Sequence, residues 1–383
     1  MPRQKTILIV FGTRPEAIKI APLLHKFTEN KDVNVVVCAT GQHKEMLSQV
    51  LEVFDITVDY NLEVMAANQN LADLSGKILS GIIPILQSEK PDLMLVHGDT
   101  TTTLMSAITA FYEGVPVGHV EAGLRSGDLH SPFPEEFNRK AVSMVADWHF
   151  APTKLNKNNL LDEGVPPEKI FVTGNTVVDA LFWMLKQIDG CPKLKKTIKS
   201  KLQKELNFDP EKKKFILVTC HRRETIGSGQ KGICKAISDL ADSNKDVQFV
   251  FPVHPNPVVR NTVYQALSKI ENICLVEPLA YECFGFLMSR CYLVITDSGG
   301  IQEEAPSLGK PVLVTRDVTE RVEAVEAGTV HLVGTDPSII CLEAQKLLND
   351  ERHYHDTSEN INPYGDGNAA DKILKHISQI IFK

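Results

Sequence analysis

The sequence lacks most of the motifs that would settle its chemistry at a glance. Its 383 residues contain no Walker-type phosphate loop, no H-x-x-H or H-E-x-x-H, no aspartate cluster at magnesium-like spacing and no G-x-S-x-G nucleophile elbow, and the turn after the first apolar run, FGTRPEAIK, is not G-x-G-x-x-G. These absences speak against a P-loop nucleotide, a bound metal and a serine-hydrolase triad, and the first turn does not indicate a dinucleotide. Basic charge is not in excess: 41 Lys and Arg face 48 Asp and Glu, for a net charge of −7. That leaves no electrostatic footprint for nucleic acid or an anionic membrane. An anionic ligand would need a local cluster of Arg, His and helix N-termini. The 8 cysteines show no C-x-x-C, zinc spacing or disulfide framework, and Cys38, Cys274 and Cys291 sit in or beside apolar runs. Reduced, buried thiols in a cytoplasmic protein are the expectation. The first apolar run, Ile7 to Phe11, is too short for a signal peptide or a spanning helix, and no later stretch reaches membrane length.

What is present is ordinary for a globular enzyme: 43% hydrophobic and 23% charged residues, with length for two domains. Short apolar runs alternate with stretches of helical periodicity. ILIVF (7–11), NVVVCAT (34–40), LMLVHGD (93–99), PVGHVEAG (116–123), HFAPT (149–153) and IFVTGN (170–175) read as strands. A Lys-rich stretch, 190–214, interrupts the pattern and reads as a solvated helix and loop at a domain junction. Alternation resumes with FILVTCH (215–221), VQFVFPVH (247–254), NICLVEP (272–278), YLVITDSGG (292–300) and PVLVTR (311–316). The spacing predicts an α/β protein with two doubly wound parallel sheets, one over 1–175 and one over 176–365. Residues 366–383 form a last helix that can pack back on the first domain. In such folds ligands sit beyond the C-terminal strand ends, and with two of them the cleft between is the expected site.

Five stretches carry candidate chemistry. In FGTRPEAIK (11–19) a strand ends, Gly12 allows a tight turn and Pro15 suits a first helical turn. Arg14 then stands at a helix N-terminus, where anions bind; a plain turn with a surface Arg fits the local pattern equally. In LMLVHGDTTTTL (93–104), Asp99 is either a helix N-cap or a carboxylate pointing into the cleft. HVEAGLRSGDLHSPFPEEFNRK (119–140) puts Glu121 after a strand, Glu135 and Glu136 in a first helical turn and Arg139 one turn later. Complementing the helix dipole, or a surface ion pair, would explain such glutamates without any catalytic role. Arg125, His130 and Glu136 stay undecided here, and Asp128 and Lys140 read as surface charges. VTCHRRE (218–224) offers His221, which titrates near neutrality unless buried in a core. In ITDSGGIQEEAPSLGKP (295–311), Gly299 and Gly300 permit close backbone approach and Ser298 offers a hydroxyl. This suits a diphosphate at a helix start, with Glu304 one turn on to accept from a ribose diol.

Taken in order, FGTRPEAIK, HGDTTTT, HVEAGLRSGD, PEEFNRK, VTGNTVVDAL, HRRE, PVHPNP and DSGGIQEEAPSLGKPVL span nearly the whole chain. Together they closely resemble the non-hydrolysing UDP-N-acetylglucosamine 2-epimerases. The resemblance implies two Rossmann-like domains in the glycosyltransferase-B arrangement, a homodimer, and a UDP-sugar substrate interconverted between UDP-GlcNAc and UDP-ManNAc without cofactor or metal. It implies acid/base roles for Asp99, Glu121, Glu135 and His221. Arg14, Lys19 and Arg139 match positively charged active-site positions, Ser298, Gly299 and Glu304 diphosphate and ribose contacts, Phe284 the uracil pocket, and Arg321 another UDP-side position. Many members bind a second UDP-GlcNAc that activates them, through a run corresponding to Gln42-His43-Lys44-Glu45 and an Arg near Asn68. Glu45 and Asn68 here predict a weakened allosteric site, although Gln42 and His43 remain. An epimerase for another UDP-2-acetamido sugar, such as a 2,3-diacetamido uronate, and a glycosyltransferase on the same fold are the alternatives.

Overall fold

The computed structural model describes residues 4–41, 44–66, 69–222 and 225–382, the side chains of 44–46 excepted. The chain divides into two compact units, residues 1–180 with 364–383, and residues 181–363.

The first unit holds a seven-stranded parallel sheet in the order β3-β2-β1-β4-β5-β6-β7. Its strands are β1 (Lys5–Phe11), β2 (Val33–Ala39), β3 (Tyr60–Asn61), β4 (Leu93–His97), β5 (Val117–Val120), β6 (Trp148–Ala151) and β7 (Ile170–Val172). The second unit repeats the plan with six strands, β10-β9-β8-β11-β12-β13. These are β8 (Phe215–Thr219), β9 (Gln248–Pro252), β10 (Ile273–Val276), β11 (Leu293–Thr296), β12 (Val312–Val314) and β13 (Val330–Leu332). Helices cover both faces, so central strands such as β1, β4, β8 and β11 are apolar almost without interruption. The expected α/β class holds. The sequence pattern singled out neither β3 nor β13. Both are short edge strands, half-exposed on part of their length, so neither carries a continuous apolar run.

In both sheets the strand order reverses beside the first strand, between β1 and β4 and between β8 and β11. At such a switch point the connections leave in opposite directions and open a crevice at the C-terminal ends. FGTRPEAIK follows β1 and GDTTTT follows β4; HRRE follows β8 and DSGG follows β11. Four of the five candidate stretches thus flank a switch point.

The Lys-rich stretch folds as a helix, Pro192–Glu205, which buries Ile198 and Leu202 and exposes most of its lysines. The C-terminal helix, Ala369–Ile381, belongs to the first unit and buries Ala369, Ile373, Ile377 and Ile381 along one stripe. His376 on this helix stacks on Phe171 at 4.1 Å between ring centroids. Asp179 accepts from the amides of Ala369 and Ala370 at 3.2 and 2.8 Å. Burial pushes the Asp179 carboxyl up to about 6, against the pull of those amides. The folded state therefore holds this proton more tightly than an unfolded chain, whose Asp titrates near ~3.9. The resulting stabilisation is complete below that value and is lost as pH rises through about 6. Comparing Asp179→Asn with the parent between pH 4 and 7.5, the stability difference is expected to move in the variant's favour by about 3 kcal/mol. A difference that does not change with pH would show that this carboxyl titrates normally.

Candidate active site

At the switch point of the first unit, Gly12 lies where no side chain fits: a Cβ there would come within 2.3 Å of Thr102 Oγ1 and 2.4 Å of Thr40 Oγ1. Thr13 caps the helix Arg14–Thr28 in a capping box with Glu16. The buried Glu16 carboxylate accepts from the amides of Gly12 and Thr13 at 3.0 and 2.7 Å. It also accepts from the hydroxyls of Thr100 and Thr103 at 2.7 and 3.2 Å. Glu16 therefore clamps the β1 turn to the β4 turn. Burial raises its pKa, and the surrounding donors oppose that rise. This frees neighbouring side chains for other work: Arg14 is exposed at the helix start and Lys19 pairs with Glu121.

Asp99 is not the helix cap. Thr100 takes that role by accepting from the amide of Thr103. The Asp99 carboxylate is held by Arg139, whose Nε and Nη2 reach Oδ2 at 2.9 and 2.7 Å, and Asn138 donates to the Asp99 carbonyl at 2.8 Å. Arg139 is nearly buried and forks between two carboxylates. Its Nη1 contacts Glu136 Oε2 at 3.0 Å, and the fully buried Glu136 also accepts from the amides of Ser126 and Gly127. Glu136, undecided from sequence, is thus the group that ties Arg139 to the 126–127 turn. Glu135 begins the helix Glu135–Val145, half-buried, with no hydrogen bond from its carboxylate to the described residues. Arg125 pairs with Glu163, while Asp128 accepts from the amide of His130.

Glu121 has a left-handed backbone, φ 63°, uncommon for a residue with a side chain. Its Oε2 accepts from Lys19 and from Asn175 Nδ2 at 2.7 Å. Gly98, next to Asp99, faces Glu121 Oε1: a Cβ there would lie 3.6 Å away. His97 Nε2 is 3.9 Å from Glu121 Oε2, and burial pushes this histidine down to about 4, so its ring is neutral at pH 7. The fold therefore gathers Asp99 and Glu121 with Lys19, Arg139, Asn175 and His97.

At the switch point of the second unit, Thr219 and Thr296 are register partners and their hydroxyls hydrogen bond at 2.6 Å. The next residues bring His221 beside the buried Asp297, with Nδ1 3.3 Å from Oδ1. Burial lowers the His221 pKa and Asp297 opposes the shift. The turn continues through Ser298 into the helix Gly299–Glu304. The Arg321 guanidinium lies over Gly299, so a Cβ there would meet Arg321 Cζ at 3.0 Å. Glu303 Oε1 accepts from Arg321 at 2.9 Å, and Glu320 lies 3.3 Å from both Arg321 and Arg316. Burial alone would raise the Glu320 pKa, but Arg321, Arg316 and Arg222 bring it down to about 2. Tyr281 donates to Glu304 at 3.1 Å, and Phe284 stands one turn along the same helix, half-buried. Gly300 follows Gly299 in the same helical turn, its missing Cβ facing Glu304 Oε2 at 3.9 Å.

Gln42, His43 and Asn68 lie outside the described residues. Close to them in the chain, Gly41, Leu47, Asn61 and Glu63 line a cavity of about 350 Å³. Among the described residues no group of three or more His, Cys, Asp or Glu is arranged to hold a metal ion, and no helix is long and apolar enough to cross a membrane.

The UDP-N-acetylglucosamine 2-epimerase family model matches residues 25–378. The chain belongs to this family. It is 52% identical to the UDP-N-acetylglucosamine 2-epimerase of Escherichia coli K12 over 369 residues, 96% of this chain and 97% of that one. The crystal structure of the Neisseria meningitidis UDP-GlcNAc 2-epimerase bound to UDP-GlcNAc matches with a TM-score of 0.90 at 46% identity, over 98% of this chain and 100% of that one. The Methanocaldococcus jannaschii enzyme in complex with UDP-GlcNAc and UDP matches with a TM-score of 0.82 at 32% identity, over 98% and 99%.

Several residues beside the candidate residues escaped the sequence reading: Glu16, His97 and Asn175 in the first unit, Tyr281 and Asp297 in the second. Asp297 was the most accessible of them, because an Asp at the end of one switch-point strand faces whatever ends the other.

Proposed function

We propose that the protein interconverts UDP-GlcNAc and UDP-ManNAc by eliminating UDP and adding it back. C2 of the sugar has no carbonyl beside it, so its proton is not acidic by itself. The C1–O bond to UDP breaks as a base takes the C2 proton, giving 2-acetamidoglucal and UDP. In the return step UDP attacks C1 while C2 receives a proton on the opposite face. The cycle has no net oxidation, so the chemistry needs no redox cofactor. It does need acid/base groups on both ring faces and stabilisation of the departing diphosphate.

The observation that carries this reading is the cluster of Asp99 and Glu121 at one switch point, each charge-compensated by a cation. Asp99, Glu121 and Glu135 serve as the carboxylate acid/base set and His221 as the fourth titrating group. Arg14, Lys19 and Arg139 compensate charge. Ser298, Gly299, Gly300 and Arg321 serve the diphosphate, Glu304 the ribose and Phe284 the uracil ring. A cytoplasmic homodimer supplying ManNAc units for surface polysaccharide completes the proposal, supported by the family resemblance.

Incubation with UDP-GlcNAc in D₂O is expected to place deuterium at C2 while the UDP-sugar stays intact, read by NMR. Accumulation of free ManNAc would overturn the non-hydrolysing mechanism, and absence of C2 exchange would overturn epimerisation.

A further inference from the structure

His221 is half-exposed, yet one side of its ring faces a carboxylate with no exposure at all. Asp297 directly follows β11, and the β8–β11 register sets it opposite the end of β8. Its two oxygens have separate duties. Oδ2 accepts from the amides of His221 and Arg222 at 2.9 and 2.8 Å and from the Thr225 hydroxyl at 2.9 Å. Oδ1 has no hydrogen-bond partner of conventional geometry among the described residues, and His221 Nδ1 lies 3.3 Å from it.

We infer that Asp297 is the positioning residue of His221, keeping the proton on Nδ1 and leaving Nε2 to exchange a proton in the reaction. An ionised carboxylate only accepts hydrogen bonds, so the nitrogen facing it must be the donor. The second nitrogen then carries the lone pair. When Nε2 gains a proton, the ring becomes an imidazolium whose new positive charge faces Asp297; when it gives the proton up, the neutral Nδ1–H form returns. The three donors on Oδ2 stop the carboxylate from turning away. Charged or titratable groups acting on the ring are Asp297 from the β11 turn, Arg222 from its own loop and His254, which stacks on it at 6.0 Å from the β9 turn. Arg222 and His254 disfavour the imidazolium and Asp297 favours it. The dyad is a property of the folded chain; its catalytic consequence rests on the epimerase reading.

The test uses the full-length protein labelled with ¹⁵N-histidine, with His221→Asn identifying the His221 resonances. In the parent, neutral His221 is expected as the Nδ1–H tautomer. In Asp297→Asn, the amide oxygen keeps the Oδ2 donors and turns its NH₂ toward Nδ1. The ring should then switch to the Nε2–H tautomer, its titration midpoint should fall by about one pH unit or more, and kcat should drop by about 10²–10⁴-fold with KM little changed. Thr225→Val removes one loop hydrogen bond to the same carboxylate and should leave tautomer and midpoint in place. An Nε2–H tautomer in the parent, an unchanged midpoint in Asp297→Asn, or an equal shift in Thr225→Val would each overturn the inference. The NMR readouts need no substrate. If they behave as expected but C2 exchange in D₂O is absent, the epimerase reading fails and the dyad stands. If exchange occurs without the dyad signature, only the dyad fails.

Discussion

Glu121→Gln is expected to lower kcat by about 10³-fold, within the usual range for losing a positioned acid/base group, with UDP affinity unchanged. The amide is nearly isosteric, so the left-handed backbone at this position and the β5 turn should survive. What changes is the chemistry of one oxygen. Glu121 Oε2 accepts from both Lys19 and Asn175, and an amide oxygen in that place accepts from both but carries no negative charge. Lys19 then loses its anionic partner, so part of the effect comes from an uncompensated cation. Glu135→Gln separates the two contributions, because the Glu135 carboxylate makes no hydrogen bond to the described residues. A comparable loss there reads acid/base chemistry alone. Asp99→Asn should resemble Glu121→Gln, since Arg139 holds Asp99 as Lys19 holds Glu121. The measurements are C2 deuterium exchange by NMR and UDP binding by calorimetry. Any variant that keeps near-parent turnover leaves the catalytic set.

Glu136→Ala is expected to destabilise the first unit by about 3 kcal/mol or more, the scale for removing one partner from a buried ion pair. Glu136 is completely buried, accepts from Arg139 and from two loop amides, and lies on a helix whose other face is solvated. Its removal leaves those amides without partners and half of the Arg139 fork empty. Asp99 still compensates the guanidinium, which keeps the loss from being larger. The chain's two tryptophans simplify the measurement: Trp148 lies in the first unit and Trp183 in the second. In a Trp183→Phe background, denaturation followed by Trp148 fluorescence reports on the first unit. A loss below about 1 kcal/mol, the range of exposed ion pairs, would mean that Glu136 is dispensable. The same variant should lose turnover, because Arg139 orients Asp99.

The strand runs were legible because a strand buried on both faces must be apolar at every position, and ILIVF, LMLV and FILV are. Their ends were legible too, since Gly, Asp and Thr mark where the chain leaves the sheet. That was enough to bring Arg14, Asp99, His221 and Ser298 to switch points. The short edge strands β3 and β13 escaped because a half-exposed edge needs no continuous run. The bland reading of Asp99 as a cap failed for a local reason, since Thr100 stands one residue nearer the helix and caps it. Arg139 matches a positively charged active-site position by resemblance, and only the fold shows that it pairs with Asp99 and Glu136.

By itself the sequence determined the fold class, the order of the strands along the chain, the reach of the family resemblance, and which residue types stand at strand ends. These are matters of local periodicity and turn chemistry, readable over a few residues. Only the tertiary structure decided which charges meet. Lys19 and Glu121 are 102 positions apart, Asp99 and Arg139 are 40 apart, and the His221 amide and Asp297 are 76 apart. Helical and strand periods relate neighbours within one element. Parallel pairing instead aligns strand ends from distant parts of the chain, and burial there makes each carboxylate find its donors.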